Sequence, residues 1–201
     1  MQGSPPVRTA SAGQADRLNA MLVRAFDEDP LTCWFVRDDR RRPQRMQRLF
    51  DWYLRQALPL GWSHATWDGS CAAVWMGPGQ WRMPLLRQLL LLPELVGVVG
   101  ADRLVSRIRG TDALQRRHPG TPHFYLALLG VEPPRQGQGL GSAVLRRGLR
   151  RCDRMKLPAY LETANPRNLA LYERHGFEVR EQLTIPGGGP PVWLMWRPAH
   201  P

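Results

Sequence analysis

The sequence predicts a mixed α/β sheet domain, and three observations carry that prediction. The C-terminal half alternates strand, helix, strand, helix, strand, strand. An apolar run, FYLALLGV (124–131), passes through a glycine-rich turn into a helix-like run, AVLRRGLRRCDR. Upstream, HATWDGSCAAVWMGPG (64–79) sets two β-rich arms around Asp68-Gly69, a strong signal for a two-residue hairpin turn. Interleaved strands and helices bury their apolar faces by packing helices against a sheet.

Taken in order, VRTAS (7–11) reads as a short strand running into a helix N-cap at Ser11. A helix follows to about Phe26, with Leu18, Met21, Leu22, Ala25 and Phe26 on one side. DEDP breaks it, because the residue before a proline avoids helical geometry. RRPQRMQRLFDWYLRQAL is a second amphipathic helix, with Met46, Leu49, Phe50, Tyr53 and Leu54 on one face. Residues 81–117 read as helical with breaks at Pro93 and Gly100. FYLALLGV is a buried strand, 139–155 a helix, and PAYLET (158–163) a strand. A short helix runs from about Arg167 to His175, with Gly176 as its C-cap. FEVREQLTI and PVWLMWR close the chain as strands joined by IPGGGPP.

The 201 residues suit one domain, 1–201, with 80–120 as a helical embellishment. Apolar residues at 43% and charged residues at 22% are ordinary for a globular chain, so only the tails, 1–5 and 198–201, read as loose. The formal net charge is +11, almost all of it arginine, since Lys156 is the only lysine. That field favours anionic partners; an arginine-rich codon bias produces the same balance. The clusters Arg40–Arg42 with Arg45 and Arg48, and Arg146–Arg154, read as solvated helix faces. Cys33, Cys71 and Cys152 form neither a disulfide framework nor a zinc pattern and read as buried or half-buried thiols in a reducing compartment. The first residues lack an apolar signal segment, and MPLLRQLLLLPELVGVVG is too interrupted to span a bilayer. The expectation is a cytoplasmic protein without a membrane partner.

RQGQGLGS (135–142) carries the chemistry. A strand that ends in glycines opening a helix makes a phosphate cradle: the first helical N–H groups are unpaired, and the helix dipole adds positive potential. The dinucleotide fingerprint G-x-G-x-x-G fails at Ser142, and no lysine completes a P-loop. The spacing that fits is Gln136-x-x-Gly139-x-Gly141.

After a strand, Q-x-x-G-x-G resembles the acetyl-CoA-binding motif of the GNAT superfamily of N-acetyltransferases. Asn165-Pro-Arg-Asn168-Leu-Ala-Leu-Tyr172-Glu-Arg-His-Gly-Phe177 is similar to that superfamily's N-x-x-A-x-x-x-Y-x-x-x-G-F segment, with Asn168 where alanine is common. LALLGVEPPRQGQGLGSAVL, AYLETANPRNLALYERHGFEV and PVWLMWRP are most similar to puromycin N-acetyltransferase-like members. The resemblance is close over 123–197 and loose over 27–60 and 80–120, where acceptor choice lies. It implies a mostly antiparallel central sheet with a splayed strand pair, helices on both faces, and direct transfer of acetyl from acetyl-CoA to an amine.

The resemblance also implies roles. Leu129, Gly130 and Val131 bind the pantetheine arm by their backbone. An N–H near Leu129 polarises the thioester carbonyl. The amides of Gln136, Gly137, Gln138, Gly139, Leu140, Gly141 and Ser142 hold the pyrophosphate. Tyr172 is the candidate acid that protonates the leaving thiolate. Asn165 and Asn168 face the pantetheine or cap the helix start. The amine's proton goes to Glu162, at a strand end beside the splay, or to the Asp27–Glu28–Asp29 cluster. Asp29 stands where puromycin-type members carry tyrosine, which points away from puromycin itself. Trp34, Trp62 and Trp81 are candidates for an aromatic pocket; Trp75, Trp193, Trp196 and Cys152 read as core, and His118 and His123 receive no role. The leading function is acetylation of a small-molecule amine, an antibiotic or a biosynthetic intermediate, by a monomer or homodimer. The alternatives are protein lysine or N-terminal acetylation, or a basic nucleic-acid-binding or non-catalytic acetyl-CoA-binding module. Tyr172 argues against a dead cofactor sensor, and no recognisable nucleic-acid-reading motif is present, so a nucleic-acid partner is not expected.

Overall fold

The computed structural model describes residues 5–82 and 84–199. The predicted tails fall partly outside these residues. The strands are β1 (Val7–Thr9), β2 (His64–Thr66), β3 (Cys71–Met76), β4 (Phe124–Val131), β5 (Ala159–Thr163), β6 (Glu178–Thr184) and β7 (Pro191–Arg197). They form one sheet in the order β1-β2-β3-β4-β5-β7-β6. Every neighbouring pair is antiparallel except β4 and β5. The helices are α1 (Ala15–Ala25), α2 (Pro30–Phe35), α3 (Arg42–Ala57), α4 (Leu85–Leu90), α5 (Leu92–Val99), α6 (Leu104–Gln115), α7 (Leu140–Arg154) and α8 (Leu169–Glu173).

Strand β3 shows why the sheet is covered on both faces. Ala72, Val74 and Met76 join one cluster with Leu18, Leu22, Met46, Phe50 and Leu54 of α1 and α3. Cys71, Ala73 and Trp75 join the other with Val144, Leu145 and Leu149 of α7. A strand buried on both faces must be apolar at every position, as CAAVWM nearly is. The second contact is tight at Gly148, where a Cβ would lie 2.6 Å from Trp75 Cε2. Gly148→Ala is therefore expected to overpack α7 against the sheet, costing about 1–3 kcal/mol. Thermal unfolding should move down by roughly 3–10 °C; an unchanged midpoint would show that α7 shifts without cost.

Most predicted elements form where the periodicity put them, and β4 spans the predicted run. Three local readings need correction. Pro30 starts a helix rather than only ending one: Asp29 caps α2, its side chain accepting from the Thr32 N–H at 2.9 Å, and proline suits the first helical position. The break expected at Pro93 falls at Leu91, between α4 and α5, and Pro93 itself lies in the first turn of α5. The β2–β3 loop runs over residues 67–70 rather than two residues, with Gly69 at φ +70°. Asp68 there accepts from Ser70 and pairs with Arg135 at 2.6 Å, tying the hairpin to the turn after β4. Cys33 is exposed, whereas Cys71 and Cys152 are buried.

The parallel pair is the feature that positions the site. β4 and β5 pair only at Phe124–Leu126 and Ala159–Leu161. Beyond Leu126 the strands part, while β4 stays paired with β3 as far as Val131. The parting coincides with a bulge: Val74 faces Leu128 and Trp75 faces Leu126, which leaves Ala127 as the extra residue. A bulge bends its strand and sharpens the local twist. It also reverses the side-chain phase, so Phe124 and Leu126 share the α7 face with Leu129 and Val131. Gly130 then faces α1, where a Cβ would lie 2.7 Å from Leu22 Cδ2.

Candidate active site

The free edge of β4 leads into the glycine turn. Gly137 and Gly139 have φ of +75° and +79°, which non-glycine residues rarely adopt, and a Cβ at either would meet open space. Gly139 is the N-cap of α7, and its carbonyl accepts from the Ala143 N–H at 3.0 Å. Among the described residues, no backbone acceptor takes the N–H groups of Gly137 to Ser142. Gln136 and Gln138 brace the turn instead of pointing at a ligand, donating to the carbonyls of Val131 and Pro134 at 3.2 Å each. Gly141 has no such special geometry; its Cβ would touch Val131 and Leu171 at ordinary distances. Six free amides, a helix N-terminus and open space suit a diphosphate, and the unpaired strand edge beside them suits an extended amide-bearing arm. Of the arginines on α7, Arg146, Arg147 and Arg150 are exposed and Arg151 lies over the Trp62 ring at 4.3 Å.

Glu162 is the first β5 residue beyond the paired segment. Strand alternation puts Tyr160 on the same face, and the parallel register sets Tyr125 opposite Tyr160. Both hydroxyls donate to the Glu162 carboxylate, Tyr160 to Oε1 at 3.0 Å and Tyr125 to Oε2 at 3.3 Å. The side chain is only 11% exposed. Burial pushes its pKa up to about 7, against the lowering effect of the two tyrosines. Tyr53 of α3 lies close enough to feel that charge, and burial together with the carboxylate pushes its phenol up to about 12.

Two histidines continue the cluster. His118 Nδ1 lies 3.9 Å from Glu162 Oε1. His118 Nε2 meets His123 Nε2 at 2.8 Å, and His123 Nδ1 meets the Thr121 carbonyl at 2.6 Å. Burial, the neighbouring His123 and Arg82 push His118 down to about 3, and burial also lowers His123, so both rings are neutral. A carbonyl only accepts, so His123 carries its proton on Nδ1 and His118 carries its proton on Nε2. The bare Nδ1 of His118 therefore faces Glu162. Trp81 stacks on His118, with ring centroids 3.5 Å apart. Tyr160 could have been paired with Glu162 from the two-residue spacing. Nothing in the sequence marked Tyr53, Tyr125, His118 or His123.

The raised carboxylate has a stability consequence. Below about pH 4.5 Glu162 is protonated in both the folded and the unfolded chain. Between there and about pH 7 only the folded state holds the proton, so stability falls as pH rises through this window. Above it a constant cost on the order of 3 kcal/mol remains. Glu162→Gln is expected to remove that slope and to be the more stable protein at pH 8. Urea unfolding at pH 4.5 and pH 8 measures it, and parallel curves for the two proteins would show that burial does not penalise the charge.

Tyr172, on α8, is buried in the α7-side cluster and packs edge-on against Phe177, centroids 6.0 Å apart. Burial, and then the charge of Asp29, push its pKa above the usual phenol value, so it holds its proton at neutral pH. Asn165 spends its Oδ1 on the Arg167 N–H at 3.1 Å as a cap, while Asn168 is half-buried and makes no side-chain cap. The acidic cluster does not act together: Asp27 pairs with Arg42, Glu28 is exposed, and Asp29 caps α2. The three tryptophans do not form one pocket either. Trp62 packs toward the α7 face, Trp81 toward the α1/α3 face and Trp34 in a third cluster. Only Trp81 stacks on the Glu162–histidine network. Trp75 is core, while Trp193 and Trp196 are half-buried. Among the described residues there is no metal-ligating group of three His, Cys, Asp or Glu, and no helix is long and apolar enough to cross a membrane.

A splayed parallel pair, an amide cradle at its open end and a buried carboxylate beside it define a CoA-dependent acyltransferase architecture. The chain matches the acetyltransferase (GNAT) family over residues 23–177 and belongs to it. It is therefore a GNAT acetyltransferase, and the family's acetyl donor is acetyl-CoA. An uncharacterised N-acetyltransferase of Schizosaccharomyces pombe is 25% identical over 176 residues, 83% of this chain and 71% of that protein. A solved Corynebacterium glutamicum structure, named histone acetyltransferase HPA2 and related acetyltransferase, is 25% identical with a TM-score of 0.75 and covers 99% of both chains. The Drosophila melanogaster polyamine N-acetyltransferase, which forms N-acetylagmatine, shares the fold at 18% identity, with a TM-score of 0.64 over 96% of this chain and 99% of that one.

Proposed function

We propose that the protein transfers acetyl from acetyl-CoA directly to the primary amine of a small molecule, with Glu162 as general base and Tyr172 as general acid. The observation that carries this reading is Glu162: a buried carboxylate at the mouth of the splay, held by two phenols, with a pKa near the working pH. A base of that strength takes the proton that the attacking nitrogen loses as the C–N bond forms, when that nitrogen is far more acidic than a free ammonium.

Acetyl-CoA supplies an activated thioester. The backbone of Leu129, Gly130 and Val131 pairs with its pantetheine arm, with an N–H near Leu129 donating to the thioester carbonyl. The amides of Gln136 to Ser142 hold the pyrophosphate, although the Gln136 N–H already donates to Pro133 at 3.2 Å. Asn168 is free to donate to the arm, and Asn165 has only its Nδ2 left for that purpose. Tyr172 returns a proton to the departing thiolate. The chain acts as one catalytic domain in the cytoplasm, as a monomer or homodimer, with the helices of 80–120 shaping acceptor choice. The likeness to puromycin-type members keeps antibiotics and biosynthetic amines among the acceptors to test.

The test is calorimetric titration with acetyl-CoA, followed by thiol release with puromycin, aminonucleosides, aminoglycosides, polyamines and a lysine peptide. Binding with turnover on a small amine supports the reading. Turnover on the peptide alone moves the acceptor to proteins, and absence of acetyl-CoA binding overturns the assignment of the cradle.

A further inference from the structure

Arg107 of α6 takes no part in the machinery above, yet it is only 4% exposed. Its guanidinium lies over the Trp34 ring at 4.2 Å. Nη1 donates to Ser106 Oγ at 3.0 Å, and Nε is buried without a partner. No carboxylate of the described residues lies within ion-pairing distance. Asp102 is close enough to be felt but is committed to Arg37. Arg103, one helical turn earlier, adds a second positive charge and spends its own nitrogens on the carbonyls of Val36 and Trp34. Burial, and then Arg103, lower the Arg107 pKa. A shielded guanidinium with no counter-ion is costly and calls for an anion from outside the chain.

The glycine loop between β6 and β7 lies against both neighbours of Arg107, Ser106 and Trp34. Gly187 sits on Ser106, where a Cβ would be 3.2 Å from Ser106 Cβ, and its carbonyl accepts from Trp34 Nε1 at 3.2 Å. Nε has no accessible surface as the loop lies; where its Nε edge is reached, a guanidinium binds carboxylates and phosphates side-on. Trp34 packs in the same apolar cluster as Tyr160, with Tyr125 against it. Those are the two phenols that hold Glu162. The indole under the buried cation thus belongs to the same cluster as the phenols around the proposed base.

We propose that Arg107 anchors an anionic group, a carboxylate or a phosphate, carried by the amine acceptor. The substrate is then an amino-acid-like or phosphorylated amine, held by its nitrogen at Glu162 and by its anion at Arg107. The amine end rests on the transferase reading; the anion end does not.

The experiment compares amines that differ only in the anion: pentylamine with 6-aminohexanoate, butylamine with 5-aminopentanoate, phenethylamine with phenylalanine, and ethanolamine with phosphoethanolamine. Wild-type kcat/KM is expected to favour one anionic series at least about 10-fold, and the carboxylate and phosphate arms separate the two sources. Arg107→Gln should raise KM for that series on the order of 100-fold. It should leave KM for the neutral amines and the affinity for acetyl-CoA unchanged, the latter also serving as the folding control. Arg107→Lys, which keeps the charge without the fork, should fall between. Preference for the neutral amines, or an equal effect of Arg107→Gln on both series, overturns the proposal. Calorimetric titration of each anionic amine into wild type and Arg107→Gln reads the anion site without turnover. Binding lost in the variant, with no acetyl transfer to any amine, leaves the anion site standing while the transferase reading falls. No binding of any anionic amine to wild type overturns the proposal whatever the turnover.

Discussion

Glu162→Gln is expected to lower kcat by about 10²–10⁴-fold, the usual contribution of a positioned general base. The amide is nearly isosteric and still offers an oxygen to one of the two tyrosine hydroxyls, so the change removes basicity with little change of shape. Wild-type kcat should rise with pH and level off above an apparent pKa near 7, where the buried carboxylate ionises. The variant should lose that inflection, while acetyl-CoA affinity stays unchanged because the cradle lies on another segment. Misfolding cannot imitate this result if, as the linkage argument requires, the variant is at least as stable as wild type at pH 8. Full activity in Glu162→Gln would exclude Glu162 and turn attention to Asp29. That side chain is half-buried, its pKa is raised by burial, and its charge reaches Tyr172.

Tyr172→Phe is expected to lower kcat by about 100-fold or more with little change in KM for either substrate. The ring stays packed against Phe177, so unfolding should move by no more than about 1 kcal/mol. The two substitutions should differ in their pH signatures. Burial and Asp29 hold the phenol's proton well past its usual range, so wild type should show no falling limb below pH 10. The phenylalanine variant should keep the inflection near pH 7, because Glu162 is untouched. A falling limb near pH 8 would mean that a weaker-held proton, and not the Tyr172 phenol, reaches the leaving thiolate. A kcat equal to that of wild type would show that the thiolate leaves without an acid.

The sequence by itself determined the elements whose causes are local. FYLALLGV is apolar throughout and is covered on both faces, which is why its ends could be read directly. Gly137 and Gly139 were legible because only glycine occupies their backbone region cheaply, and a glycine turn between a strand and a helix has few other uses. The break at DEDP was legible, since α1 ends at Ala25 and Asp29 before the proline is extended; the helix that Pro30 then opens was not, because its Asp29 cap is a hydrogen bond to Thr32.

Tertiary structure alone decided which side chains gather around Glu162. The sequence offered Glu162 and the Asp27–Glu28–Asp29 cluster alike; the burial that raises the Glu162 pKa is a property of what Tyr53, Tyr125, Tyr160 and His118 build around it from four separate segments. The bulge at Ala127, which marks where β4 leaves β5, has no signature in a run of apolar residues. Trp34, Trp62 and Trp81 looked alike as letters, but the sheet separates Trp62 from Trp81 and a third cluster takes Trp34. Arg107 reads as one more arginine in a basic chain. Only its burial over Trp34, without a counter-ion, sets it apart, because the cost of a charge depends on its surroundings and not on its position in the sequence.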